Sequence, residues 1–318
     1  MSLRGWRWVR FSGAAAVLAA IVWRLGTGPF RDGLDAVDAR LLAVGLGVGL
    51  VTTMCCAWRW TVVARGLGID LELPAAVAAY YRSIFLNLTL PGGVVGDVHR
   101  GVRHGRDAGD VGRGLRAVAW ERTAGQVVQA LLTLAVLLAL PSPVRTYVIP
   151  IAIGVAGATV GVVLLAERTR PRRRSWWARA RRGVARDVRA GLLAREALPV
   201  VALTSALVVI GHALTFLVAA RAAGVSAPPA QMLPLALLAM LGMVVPGIAG
   251  WGPREGATAW VFGAAGLGAD RGVATAVVYG VMVLVAALPG ALVLLGGRFE
   301  PPLRALVAGA KRGGVADA

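Results

Sequence analysis

Apolar runs of about twenty residues alternate along the chain with short segments bearing arginine. Each such run predicts a membrane-crossing helix, because 1.5 Å of rise per residue must cover a hydrocarbon core about 30 Å thick. The clearest runs are 8–26, 40–63, 117–140, 144–166, 198–222 and 273–297. Two further stretches, 74–96 and 230–268, are apolar but broken by glycine and proline. The expected fold is all-α, a polytopic membrane helix bundle of about 6–8 spans with two re-entrant or broken elements and a possible inverted repeat.

Arginine placement sets the expected orientation. Eleven arginines fall between Glu167 and Ala197, and cytoplasmic loops carry the excess of basic residues. Trp176 and Trp177 beside these arginines read either as an amphipathic stretch on the inner leaflet or as a solvated loop. The N-terminus, Arg59 and Arg65, and the cluster Arg100, Arg103, Arg106, Arg113 and Arg116 are placed inside by the same rule. Both flanks of 74–96 are then cytoplasmic, so that stretch should enter and return. Similar counting makes 230–268 dip in from outside or cross twice. Residues 1–297 read as one membrane domain with 167–197 as its basic cytoplasmic loop, and 298–318 as a short flexible cytoplasmic tail.

Of 318 residues 57% are apolar and 16% charged, and the mean hydropathy is +0.70, outside the range of a soluble domain. The formal charge is +18. No basic module interleaved with aromatics is present, so nucleic acid is not an expected partner and the charge faces anionic headgroups. Lys311 is the single lysine, which reflects compositional bias. Adjacent Cys55 and Cys56 lack metal or disulfide spacing and read as packing residues. Arg4, Arg7 and Arg10 before an apolar run resemble a signal peptide, but no small-residue cleavage site follows, and a retained first helix is expected.

The broken stretches hold the candidate chemistry. The first contains Asn87, Pro91, Gly92, Gly96, Asp97 and Arg100, and the second Pro246, Gly250, Trp251, Gly252, Arg254 and Glu255. Broken backbone inside a membrane leaves amides without partners and is tolerated only beside protein or a water-filled cavity. Such amides attract phosphate oxygens, and arginine adds a charged bidentate partner. The plainer alternative is that Pro-Gly ends a helix at a loop and Asp97 with Arg100 forms a surface ion pair. Glu121 and Arg122 open another apolar run, where an ionisable pair is expensive unless it faces the interior or the interface. Arg122 can snorkel, whereas Glu121 either neutralises Arg100 or Arg254 or carries a proton or cation. His212 reads as a neutral, hydrogen-bonded histidine ahead of a proton relay. Tyr80, Tyr81 and Arg82 read as an interfacial belt, and Trp251 as a stacking or interfacial residue. No metal spacing, nucleophile elbow, phosphate loop or dinucleotide fingerprint is present, so no catalytic residue, cofactor or metal is expected and the reading leans away from an enzyme.

Over residues 10–297 the chain resembles the transmembrane domain of the lysylphosphatidylglycerol synthase, or flippase-like, family. Asn87, Pro91, Gly92, Gly96, Asp97 and Arg100 are similar to its first motif, Glu121 and Arg122 to its Glu-Arg pair, and Pro246, Gly250, Gly252, Arg254 and Glu255 to its late motif. Val95 departs from it, standing where a glycine often precedes the aspartate. The resemblance implies an inner-membrane domain that binds or moves anionic or aminoacylated phospholipid. It does not extend to the soluble lysyltransferase domain. The leading expectation is a phospholipid translocase of the plasma membrane with both termini cytoplasmic. A membrane subunit of an aminoacyl- or glycosyl-lipid synthase, with a separately encoded transferase, and a non-transporting scaffold remain alternatives.

Overall fold

The computed structural model describes residues 19–90, 93–140, 142, 146, 176–242 and 251–296. Span 144–166 (apart from 146), most of span 8–26, the tail from 298, and Pro91, Gly92, Pro246 and Gly250 lie outside the described residues. Among those described the fold is all-α. After a helical stretch at 19–25 come α1 (Gly28–Asp35), α2 (Ala39–Gly66), α3 (Leu73–Thr89), α4 (Val95–Asp107), α5 (Val111–Ala139) and α6 (Trp176–Gly191). They are followed by α7 (Ala197–Ala222), α8 (Pro229–Gly242), α9 (Pro253–Ala264), α10 (Ala269–Ala287) and α11 (Pro289–Gly296).

Local chemistry fixes the helix ends. Asp38 and Asp110 cap α2 and α5, their carboxylates accepting from the backbone N–H of Leu41 and Arg113 at 2.8 Å each, which satisfies donors no helix can pair internally. Helices α3 and α5 both stop two residues before a proline. Leu90 and Leu140 have extended ψ values of 146° and 141°, as the proline ring requires of its predecessor.

Among the described residues four helical segments are long and apolar enough to cross a membrane: Ala39–Gly66, Val111–Ala139, Ala197–Ala222 and Ala269–Gly296. They match the runs expected at 40–63, 117–140, 198–222 and 273–297. Each also exposes large apolar side chains, among them Leu50 and Met54, Leu131 and Leu138, Leu203 and Leu214, and Leu292 and Leu295. Water would not tolerate so many, and lipid does.

Helices α2 and α7 pack most extensively, and α10 leans on both. Phe216, Leu235, Phe262 and Met282 interlock α7, α8, α9 and α10, while Ala57, Trp60, Ala76, Tyr80 and Val118 join α2, α3 and α5. The broken stretches each form two helices around a break, α3 with α4 and α8 with α9. Contact between α3 and α4 is backbone-close at Gly96, where a Cβ would sit 2.0 Å from the Ser83 carbonyl oxygen.

Three expectations are corrected here. Tyr80, Tyr81 and Arg82 are buried, so they are not an interfacial belt; α3 turns that face onto α2, α4 and α11. Arg59 and Arg100 are 4% and 1% exposed, so neither is a loop charge that fixes orientation. Nor do Asp97 and Arg100 form a surface ion pair, since both are buried in α4.

Candidate functional site

A buried ion-pair network joins α2, α3, α4 and α5. Its hub is Glu121, fully buried on α5. Its Oε1 accepts from the Nε of Arg59 at 2.9 Å, from that residue's Nη2 and from the Tyr80 hydroxyl at 3.2 Å, while Oε2 accepts from Arg100 Nη2 at 2.7 Å. A carboxylate so deep in a membrane protein is tolerable only when ionised partners and hydrogen bonds compensate its desolvation. Two guanidiniums do so here, and Glu121 has the neutralising role with Arg100 in place of Arg254.

Asp97 is the second anion. Its Oδ1 accepts from Ser83 and from Arg100 Nε, at 3.1 and 3.0 Å, and its Oδ2 accepts from Asn87 Nδ2 and from Arg122 Nη2, at 3.0 and 2.7 Å. The Asn87 side-chain oxygen in turn accepts the backbone N–H of Gly96 at 2.8 Å. Asn87 therefore satisfies an N–H in the first turn of α4 and holds the carboxylate in register. Arg100 is clamped between two rings, its Cζ 4.6 Å from the Trp60 centroid and 4.3 Å from that of Tyr80, a cation–π arrangement that gains in strength where water is excluded.

The late element builds a separate station. Gly252 takes φ +105°, a conformation that side chains rarely adopt, and Pro253 then opens α9. Glu255 reaches back to accept the Gly252 N–H at 2.6 Å and accepts from Arg254 Nε and Nη2 at 2.9 and 2.6 Å. The Arg254 guanidinium lies over Trp251 at 4.9 Å and Tyr279 at 5.8 Å. The Tyr279 hydroxyl is 2.9 Å from His212 Nδ1, so His212 is hydrogen-bonded as expected.

Both stations face one cavity of about 360 Å³ between α2, α3, α5, α7, α9 and α10, a size at the small end of ligand sites. Asn87 and Gly93 reach it from the first element and Pro253 and Arg254 from the second. It runs along α2 from Gly45 to Arg59, fourteen residues and so about 20 Å of helix. Arg59, Arg122 and Arg254 line it, with Gln126, Gln129 and Ser205 between them. Arg122 keeps 40% of its side chain exposed while its Nη2 pairs with Asp97 at 2.7 Å. No acidic residue lines the cavity among the described residues; Asp97, Glu121 and Glu255 stand behind the arginines.

Of the residues expected at the site, Asn87, Gly96, Asp97, Arg100, Glu121 and Arg122 come together around one network. Trp251, Gly252, Arg254 and Glu255 assemble at the second station, next to the same cavity. Sequence reasoning missed Arg59, Trp60, Tyr80, Ser83 and Ser205, the last accepting from Arg59 Nη1 at 2.9 Å. An arginine four residues inside the end of the apolar run 40–63 was a signal for Arg59. Two glycines had none. A Cβ at Gly125 would lie 3.1 Å from Arg59 Nη2, and one at Gly280 would lie 2.3 Å from Arg254 Nη2, so each long helix leaves a notch for one guanidinium.

No curated protein and no solved structure matches the chain. The family model described as the lysylphosphatidylglycerol synthase TM region does match, over residues 7–290, and takes in both helix–break–helix elements and the cavity between them. The chain thus belongs to the lysylphosphatidylglycerol synthase transmembrane family.

Proposed function

We propose that this chain binds the headgroup of an anionic or aminoacylated phospholipid in the central cavity and carries it across the plasma membrane. The observation that carries the reading is the convergence of both broken elements on one cavity lined by Arg59, Arg122 and Arg254. A phosphate there would meet guanidiniums already held in place by carboxylates and rings, so little ordering is left to be lost on binding. Elements α3–α4 and α8–α9 then act as re-entrant hairpins from opposite faces, with both termini cytoplasmic, and access alternates as the two halves rock about the cavity. Movement is downhill or coupled to an ion.

Reconstitution into vesicles holding a fluorescent phospholipid, with bleaching from outside, tests this. The intact protein should expose the inner-leaflet probe. A double variant, Arg254→Met with Glu255→Gln, removes the late station without stranding a buried charge and should slow exposure at least about tenfold at equal incorporation. Undiminished exposure in that variant would refute the reading.

The family's description supports a second reading, a membrane subunit serving a separately encoded transferase. Its mark would be headgroup turnover that appears only when such a transferase is added.

A further inference from the structure

The cavity's charge balance narrows what it takes. This step rests on the phospholipid reading above. Around the cavity four guanidiniums, of Arg59, Arg100, Arg122 and Arg254, stand against three carboxylates, of Asp97, Glu121 and Glu255. The surplus is one positive charge, and it belongs to the network of Arg59, Arg100 and Arg122, since Arg254 and Glu255 cancel. None of the three carboxylates lines the cavity, and among the described residues every charged group lining it is a cation.

The remaining polar lining is uncharged. Gln129 is 8% exposed, and its side-chain Nε2 has no hydrogen-bond partner. A buried amide donor left unpaired costs about 1–3 kcal/mol, so this one awaits an acceptor. Gln126 lies on the same helix face one position before the next turn, and Thr52 and Thr215 line the cavity with hydroxyls that already donate to Gly49 and Gly211 carbonyls and so present only acceptor lone pairs. These groups suit hydroxyls. They include no carboxylate to neutralise an ammonium, which is costly to bury beside guanidiniums without one.

We infer that the cavity selects a monoanionic phosphodiester headgroup whose far end is hydroxylated and carries no amine. One negative charge cancels the surplus, whereas a phosphomonoester or diphosphate overfills it. An aminoacylated headgroup brings a cation into a wall of cations. The site therefore takes the unmodified glycerol- or polyol-bearing lipid and rejects its lysyl ester.

Native mass spectrometry of the purified full chain, offered equal amounts of phosphatidylglycerol, phosphatidylinositol, lysylphosphatidylglycerol and phosphatidylethanolamine, tests the selection. Phosphatidylglycerol and phosphatidylinositol should be retained over the lysyl and ethanolamine lipids by about tenfold or more, as expected when one competitor leaves a charge uncompensated. Gln129→Glu places a carboxylate on the cavity wall and should abolish or invert that preference, and Gln126→Glu offers the same readout should the first variant fold poorly. Equal or better retention of lysylphosphatidylglycerol by the unaltered protein overturns the selection while leaving a phospholipid site standing. Retention of none of the four would remove the site itself.

Discussion

Replacing Gly280 with alanine displaces a site arginine without altering any polar group. Its Cβ would fall 2.3 Å from Arg254 Nη2, 2.8 Å from Cζ and 2.9 Å from Nη1, where about 3.5 Å is comfortable for non-bonded heavy atoms. The guanidinium must therefore retreat by about 1 Å. Its Nη2 bond to Glu255 is 2.6 Å long and does not survive that shift, a loss of about 1.5–3 kcal/mol for a charge-assisted hydrogen bond. Alanine in a helix returns about 1 kcal/mol relative to glycine. The net change in stability is a loss of about 1–2 kcal/mol or less, so the protein should fold and melt within a few degrees of the original. Lipid exposure in vesicles should nonetheless fall about tenfold or more, because misplacing a binding group by 1 Å is costly to positioning. Gly47→Ala is the matched control: a Cβ there meets nothing within 4 Å, and both melting and transport should stay level. Native transport by Gly280→Ala at normal melting would refute the claim that the position of Arg254 matters.

Further consequences follow from the network. Glu121→Gln strands Arg59 and Arg100 in a buried site and should cost about 3–5 kcal/mol, read as a lowered thermal midpoint in detergent; an unchanged midpoint would show that the hub is not structural. Tyr80→Phe deletes only a hydroxyl donated to Glu121 and should cost about 1 kcal/mol, whereas Tyr80→Leu also removes a ring over Arg100 and should cost about 2 kcal/mol more, so equal melting of the two would discount the clamp. At the exposed N-terminus of α5, the Arg113 backbone N–H holds the Asp110 carboxyl below its ordinary range. A depressed pKa contributes stability above the unfolded value that is lost as pH falls through the folded one. Amide exchange at Arg113 should then quicken below the ordinary carboxylate range, and Asp110→Ala should erase that pH dependence.

The spans were legible because lipid imposes a length and an apolar composition that few other environments share, and α2, α5 and α7 fall within a few residues of their runs. The motif residues Asn87, Asp97, Arg100, Glu121 and Arg122 were legible as polar groups beside broken backbone, and the pairing of Arg100 with Asp97 and Glu121 was among the readings, but Arg59 as a partner of Glu121 and Arg122 as a partner of Asp97 were not. Arg59 was misjudged because charge counting treats an arginine near the end of an apolar run as an anchor. Burial against Glu121, sixty-two residues onward, depends on how α2 meets α5. Tyr80 misled for a related reason, since a tyrosine beside arginine looks the same at an interface and in a polar core. Gly125 and Gly280 carried no signal, because a notch opposite a guanidinium exists only once two helices are packed.

Pairing each cavity arginine with a carboxylate makes sense for a site that must release what it holds. A bare guanidinium in a dry interior would cost several kcal/mol to bury and would hold a phosphate with a grip to match. Here Arg59 and Arg100 share Glu121, Arg122 leans on Asp97, and Arg254 on Glu255, so an arriving anion meets the attraction of one surplus charge. At about 4 Å and an effective dielectric of about 20 that attraction is about 4 kcal/mol, which corresponds to a dissociation constant of roughly 1 mM. Weak binding of that order suffices for a ligand abundant in the membrane and permits rapid departure. The second station is already neutral and lies about 10 Å from the first, counted as the seven residues of α7 between Ser205 and His212. A headgroup moving from the surplus charge to the neutral pair gives up at most that attraction of about 4 kcal/mol, a step thermal motion crosses readily, as carriage across the cavity requires.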